Sequence, residues 1–87
     1  MSAFTKEVLK EFMLTSAPSG YEKEMAYKLK PHLEQFCQTV TIDRVGNVIA
    51  KIPGTDPKAP RAMIFGHMDQ LGFIVRKVAS DGFIQVD

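Results

Sequence analysis

Only one cysteine, Cys37, occurs in these 87 residues, so no disulfide can close within the chain. A lone thiol fits a reducing compartment, and with no supporting pattern of residues nearby Cys37 reads as a half-buried structural cysteine rather than a nucleophile. Long apolar runs are also missing. None approaches the roughly 18 residues that a membrane span needs. The opening Met1-Ser2-Ala3-Phe4-Thr5-Lys6 lacks the basic-then-apolar layout of a signal segment. Charge of one sign is scarce, with a net of only +1 and both signs interspersed, which gives no electrostatic argument for nucleic acid or an anionic membrane. There is no glycine-rich phosphate loop, Cys-x-x-Cys pair, internal repeat or low-complexity segment. The expectation is a soluble, cytoplasmic protein with no nucleic-acid or membrane partner.

What is present begins with an ordinary hydrophobic share of 45%, enough for one small domain. A chain of this length buries only about 60–65% of its unfolded surface, so it is marginal by itself. The first periodic stretch predicts an amphipathic helix over 3–15. Phe4, Val8 and Phe12 recur every four residues, Leu9 and Met13 widen the stripe, and Lys6, Glu7, Lys10 and Glu11 cover the other side. Ala17-Pro18-Ser19-Gly20 breaks the pattern. Ser19 with Glu22 three residues on has the form of a capping box, predicting a second helix over 20–35 with Tyr21, Met25, Leu29 and Leu33 on one face. Pro31 should kink or end it near Leu29–Lys30, and His32 reads as a surface histidine.

Alternation of Val40 and Ile42 with Thr39 and Thr41 predicts a strand over 38–43, and a second follows over 47–52. The Gly-containing turn Arg44-Val45-Gly46-Asn47 joins them. Asp43 before that turn serves local hydrogen bonds rather than a metal. Pro53 to Pro60 is too rich in proline for regular structure. Further strands are expected near 61–67, 71–78 and 82–86, the last two joined by Ala79-Ser80-Asp81. The apolar run Ala62–Phe65 suits a strand covered on both faces, which implies an α/β domain with helices on either side of a sheet.

The most informative segment is Arg61-Ala62-Met63-Ile64-Phe65-Gly66-His67-Met68-Asp69. Side chains at i and i+2 of an extended stretch share a face, so His67 and Asp69 project together from the expected strand end. A neutral imidazole is a good ligand for zinc or cobalt, and a carboxylate binds beside it or orients it from behind. Taken alone, a His-x-Asp is also what a strand end followed by a turn produces.

The residues around it extend the pattern. Gly66-His67-Met68-Asp69-Gln70-Leu71-Gly72-Phe73-Ile74-Val75 closely resembles the family of two-metal metallopeptidases that includes glutamyl and deblocking aminopeptidases and cellulase-M-like proteins. Ala17 to Glu22, Asp43 to Ala50 and Asp81-Gly82-Phe83 agree with it in order and spacing. Gln70 departs from the pattern, standing where many members carry Glu. That position is not a metal ligand in the family, so the change bears on local hydrogen bonding or the substrate pocket.

The resemblance implies a metal-dependent aminopeptidase acting on the N-terminal bond of peptides. Two divalent ions, zinc or cobalt, would acidify a water whose proton passes to a Glu. His67 would hold one metal, and Asp69 would orient the imidazole or shape the adjoining shell. It further implies that residues 1–69 open the catalytic domain and that 70–87 lead into an inserted β-rich domain through which dimers build dodecamers. The fold class implied is α/β, the start of a helix-flanked sheet of the two-metal aminopeptidase type. The alternation running up to Asp87 has no terminal turn or cap, so the chain reads as the N-terminal piece of a larger enzyme that is inactive by itself. Two other readings are a non-catalytic assembly or interaction piece that keeps only the opening of the fold, and a glucanase-type hydrolase. The latter would need a pair of acid residues flanking the scissile bond, which the sequence does not form.

Overall fold

The computed structural model describes residues 1–87 and is an α/β arrangement of two helices followed by four strands. Helix α1 runs Ala3–Met13 and starts where the Ser2 hydroxyl accepts the Thr5 N–H at 3.1 Å, a side-chain N-cap. Its Phe4–Phe12 stripe leans on helix α2, Lys23–Glu34. The Phe12 ring meets His32 edge-on at 5.6 Å, and Phe4 meets both His32 and Phe36.

Three expectations about α2 are corrected. The capping box does not form, because Gly20 takes φ +87 in a turn closed by Tyr21 N–H to the Pro18 carbonyl. That conformation, the one a type II turn needs at its third residue, leaves Glu22 to accept the Gly20 N–H and delays the helix to Lys23. Pro31 does not end the helix. It lies on the exposed side of the helix, and half-buried His32 and Leu33 anchor the turn beyond it. His32 is no surface histidine. It is half-buried between the two phenylalanines, with Nε2 2.8 Å from Glu11 Oε2 and Nδ1 buried without a partner.

Strands β1 (Thr39–Ile42) and β2 (Val48–Lys51) pair antiparallel, with Val40 opposite Ala50 and Ile42 opposite Val48. These four are the half-buried residues of the hairpin, and the hairpin packs on α2. Asp43 organises the turn as expected. Its carboxylate accepts the Val45 and Asn47 N–H groups and the Asn47 side-chain amide at 2.8–3.1 Å, while Gly46 takes φ +96. Strands β3 (Val75–Val78) and β4 (Ile84–Val86) form a separate antiparallel pair with a register shift between Val75 and Lys77, where Arg76 is the extra residue.

The expected strand over 61–67 is absent, since that stretch has no ladder partner. A strand covered on both faces needs neighbours on both edges and a layer above and below, and this chain supplies none of them there. Met63, Ile64 and Phe65 stand open to solvent, Ile64 at 99%. The expected share of buried surface is corrected with it. The accessible area is 7969 Å², against about 5,100 Å² for a compact protein of this mass, so only about 43% of the extended-chain area is covered. The radius of gyration is 17.6 Å, where a compact chain of this length gives about 12 Å. The fully buried residues are Thr15, Ala17, Met25 and Ala26, all at the α1–α2 connection and the start of α2. No helix is long and apolar enough to cross a membrane.

Candidate metal-binding segment

His67 and Asp69 lie on the unpaired stretch that follows the proline-rich loop. They do share a side, as their i, i+2 spacing suggested, with His67 Nδ1 4.0 Å from Asp69 Oδ1. That is beyond hydrogen-bond length, and a charge-assisted contact of about 2.8 Å would require the two to close further. Both side chains reach solvent, His67 being 93% exposed and Asp69 41%. Because Nδ1 is turned to the carboxylate, Nε2 is the nitrogen left for a metal, the usual division of labour for a ligating histidine with a carboxylate behind it.

No three His, Cys, Asp or Glu side chains converge anywhere in the chain. A catalytic zinc takes three protein ligands and a water, and a two-metal centre needs more, including a bridging carboxylate. The donor set here fits one imidazole ligand with its carboxylate partner and falls short of a complete site. Asp43 is excluded as a donor on geometric grounds, since its carboxylate is committed to the turn. Those hydrogen bonds, led by the Asn47 side chain, hold its pKa below the ordinary aspartate value.

Sequence reasoning missed how the segment is held. Gln70, half-buried, donates its side-chain amide to the Phe12 carbonyl at 2.5 Å and its backbone N–H to the Ala17 carbonyl at 2.7 Å. It pairs with Pro18 in an isolated parallel bridge. Gly72 lies so near that a side-chain carbon added there would stand 3.4 Å from the Pro18 Cβ. The only signal in the sequence was the Gln itself, where the family pattern has Glu.

A sequence profile of the M42 glutamyl aminopeptidase family matches residues 46–87, which include His67 and Asp69. SgcX of Escherichia coli strain K12, a protein carrying an aminopeptidase name, is 37% identical over all of this chain. The lysyl aminopeptidase of Pyrococcus furiosus is 32% identical over 92% of it. The chain spans 23% and 22% of the lengths of these two relatives. In structure it is similar to the TET aminopeptidase of a marine sediment Thaumarchaeota archaeon, with a TM-score of 0.84 and 31% identity, covering 97% of this chain and 23% of that one. The matching parts leave most of each relative beyond this chain. Over residues 46–87 the chain is similar to the M42 glutamyl aminopeptidase family, and over nearly all its length to a part of proteins that carry aminopeptidase names.

Proposed function

We propose that this chain is the N-terminal portion of a metal-dependent aminopeptidase that removes N-terminal residues from peptides, and that the 87 residues alone do not hydrolyse them. The observation that carries the reading is the His67–Asp69 pair, brought to 4.0 Å inside the segment that matches the family profile. His67, through Nε2, would hold one divalent ion of a two-metal zinc or cobalt centre. Asp69, 4.0 Å away, would accept from Nδ1 once the two close to hydrogen-bond distance, fixing the ring and raising its basicity. Divalent ions held there would supply Lewis-acid chemistry for peptide hydrolysis.

Residues 1–69 belong to the catalytic domain and 70–87 begin an inserted β-rich domain. The boundary is supported by the change from a hairpin packed on α2 to one exposed throughout. The names of the relatives support a peptide substrate, and the TET neighbour supports assembly of the intact enzyme into a homo-oligomer.

Two measurements test this. Calorimetric titration of the 87-residue chain with zinc should give no tight stoichiometric site, and an aminoacyl chromogenic substrate should not turn over. Micromolar binding that disappears in His67→Ala, or measurable turnover, would show the site to be complete without further residues. In the full-length enzyme, His67→Ala should lose one metal and nearly all activity. Asp69→Asn should keep its metal at saturating concentration and lose about 10–100-fold in rate, as outer-shell substitutions do. Equal loss of metal in both variants would make Asp69 a direct ligand.

A further inference from the structure

We infer that Gln70 is a positioning residue, whose two hydrogen bonds to the end of α1 and the turn after it set the placement of His67 and Asp69. The inference rests on the metal-binding reading of that pair. Between Ile52 and Phe73, Gln70 is the sole residue hydrogen-bonded to the helical body. The other hydrogen bonds in that stretch are local, around Asp56. The His67–Asp69 segment has no sheet to hold it, so its position depends on this one attachment and on the Gly72–Pro18 contact beside it.

The chemistry of the attachment is specific to an amide. The Phe12 carbonyl, one of the last of α1, accepts the Thr15 N–H at 3.2 Å and takes the Gln70 amide on its second lone pair, a position only a donor can fill. Gln supplies an N–H at every pH. A glutamate at this position has no proton to give once ionised, and its carboxylate oxygens face the carbonyl oxygen across the same short distance. The attachment joins two weakly connected parts, and its backbone acceptor belongs to Ala17, one of the four buried residues of the chain. The charged groups on the elements meeting there are His67 and Asp69 on Gln70's own segment, Lys10 and Glu11 on α1, and His32 of α2, which is bound to Glu11. Residues 14–20 carry no charge.

The substitution Gln70→Glu therefore turns a pH-independent anchor into a titrating one. Facing a carbonyl and beside Asp69, the new carboxyl has its folded-state pKa raised above the unfolded value of about 4.3. Its contribution is present below the unfolded pKa and is lost as pH rises through the folded one. Gln70→Leu removes the anchor at all pH values.

The test is nuclear magnetic resonance on the 87-residue chain, reading the Pro18–Gly72 proton contact and, with zinc alone as probe, the shift of the His67 ring. The unsubstituted chain should show the contact at all pH values at which the Met25 and Ala26 signals remain folded. In Gln70→Glu the contact should fade with rising pH, and in Gln70→Leu it should be missing while the Met25 and Ala26 signals persist. Weak zinc binding at His67 should fall in Gln70→Leu by up to about tenfold, the lower edge for outer-shell partners. Absence of the contact in the unsubstituted chain overturns the inference. So does a contact that survives Gln70→Leu, or zinc binding at His67 that is unchanged when the contact is gone. If zinc moves no His67 signal in the unsubstituted chain, the metal-binding reading fails, and the contact with its pH dependence still decides whether Gln70 is the anchor.

Discussion

The two hairpins close on the same kind of turn and meet different surroundings. In each, the first of five residues donates its N–H to the carbonyl of the fifth, Asp43 to Asn47 and Ala79 to Phe83, and the fourth is a glycine at positive φ. An aspartate side chain tightens each loop, Asp43 accepting from Val45 and Asn47, and Asp81 from Phe83. The β1–β2 pair then lays Val40, Ile42, Val48 and Ala50 toward α2, whereas every residue of β3 and β4 is exposed. Turn chemistry is local and so forms both hairpins. Burial is not local, and an isolated two-stranded ribbon is marginal in water until a third strand or a helix covers one face. The chain thus holds one hairpin packed against a helix and one whose strands no other element covers.

The largest effect expected from this contrast follows from placing a charge on each side of it. Ala26→Asp puts a carboxylate at a position on α2 that is 2% exposed. Several kcal/mol of desolvation should unfold the α2–β1–β2 unit. Val78→Asp in β3, at 65% exposure, should shift stability by less than about 0.5 kcal/mol. Urea unfolding followed by circular dichroism measures both. A tolerated Ala26→Asp would mean the first unit is as open as the second.

A smaller effect sharpens the comparison by making the same change in both turns. Gly46→Ala and Gly82→Ala add a methyl with nothing within 4 Å, at φ +96 and +92, so the whole effect is conformational. The left-handed region costs a residue with a side chain about 1–2 kcal/mol. In the first hairpin that loss should lower the urea midpoint. In the second it should appear only as faster amide exchange of Val78 and Ile84, with the midpoint unchanged. Equal midpoint shifts would show that β3–β4 folds cooperatively with the rest.

How much of this was legible in the sequence follows the same division. The helices, the first hairpin, the role of Asp43 and the juxtaposition of His67 and Asp69 are set by residues within a few positions of one another, and the patterns predicted them. The strand over 61–67 failed because an apolar run such as Ala62–Phe65 reports hydrophobicity, not whether a neighbouring strand is there to pair with it. His32 was misread for a related reason. Its environment is made by Phe4, Phe12 and Glu11, about twenty residues or more away, and no local pattern points to them. Gln70 likewise owes its role to carbonyls on the far side of the chain. Resemblance pointed to the site, while the contact that holds it could be found only in three dimensions.

The smallest effect concerns protons and reaches the first hairpin alone. Asp43 is fully exposed, yet its hydrogen bonds, first from the Asn47 side chain and then from the Asn47 backbone, lower its pKa from 3.8. A carboxylate depressed in the folded state stabilises that state above its unfolded pKa and ceases to do so as pH falls through the folded value. Acidification should therefore loosen the β1–β2 turn at a pH below the ordinary aspartate midpoint. The Asn47 amide proton, which donates to Asp43 at 2.8 Å, reports this directly by its chemical shift. Its midpoint should lie below 3.8, and Asn47→Ala, which deletes the leading hydrogen bond, should move the Asp43 midpoint upward without unfolding the hairpin. A midpoint at or above 3.8 in the unsubstituted chain would mean that the turn is not closed on Asp43 in solution, and the first hairpin would then owe its order to α2 alone.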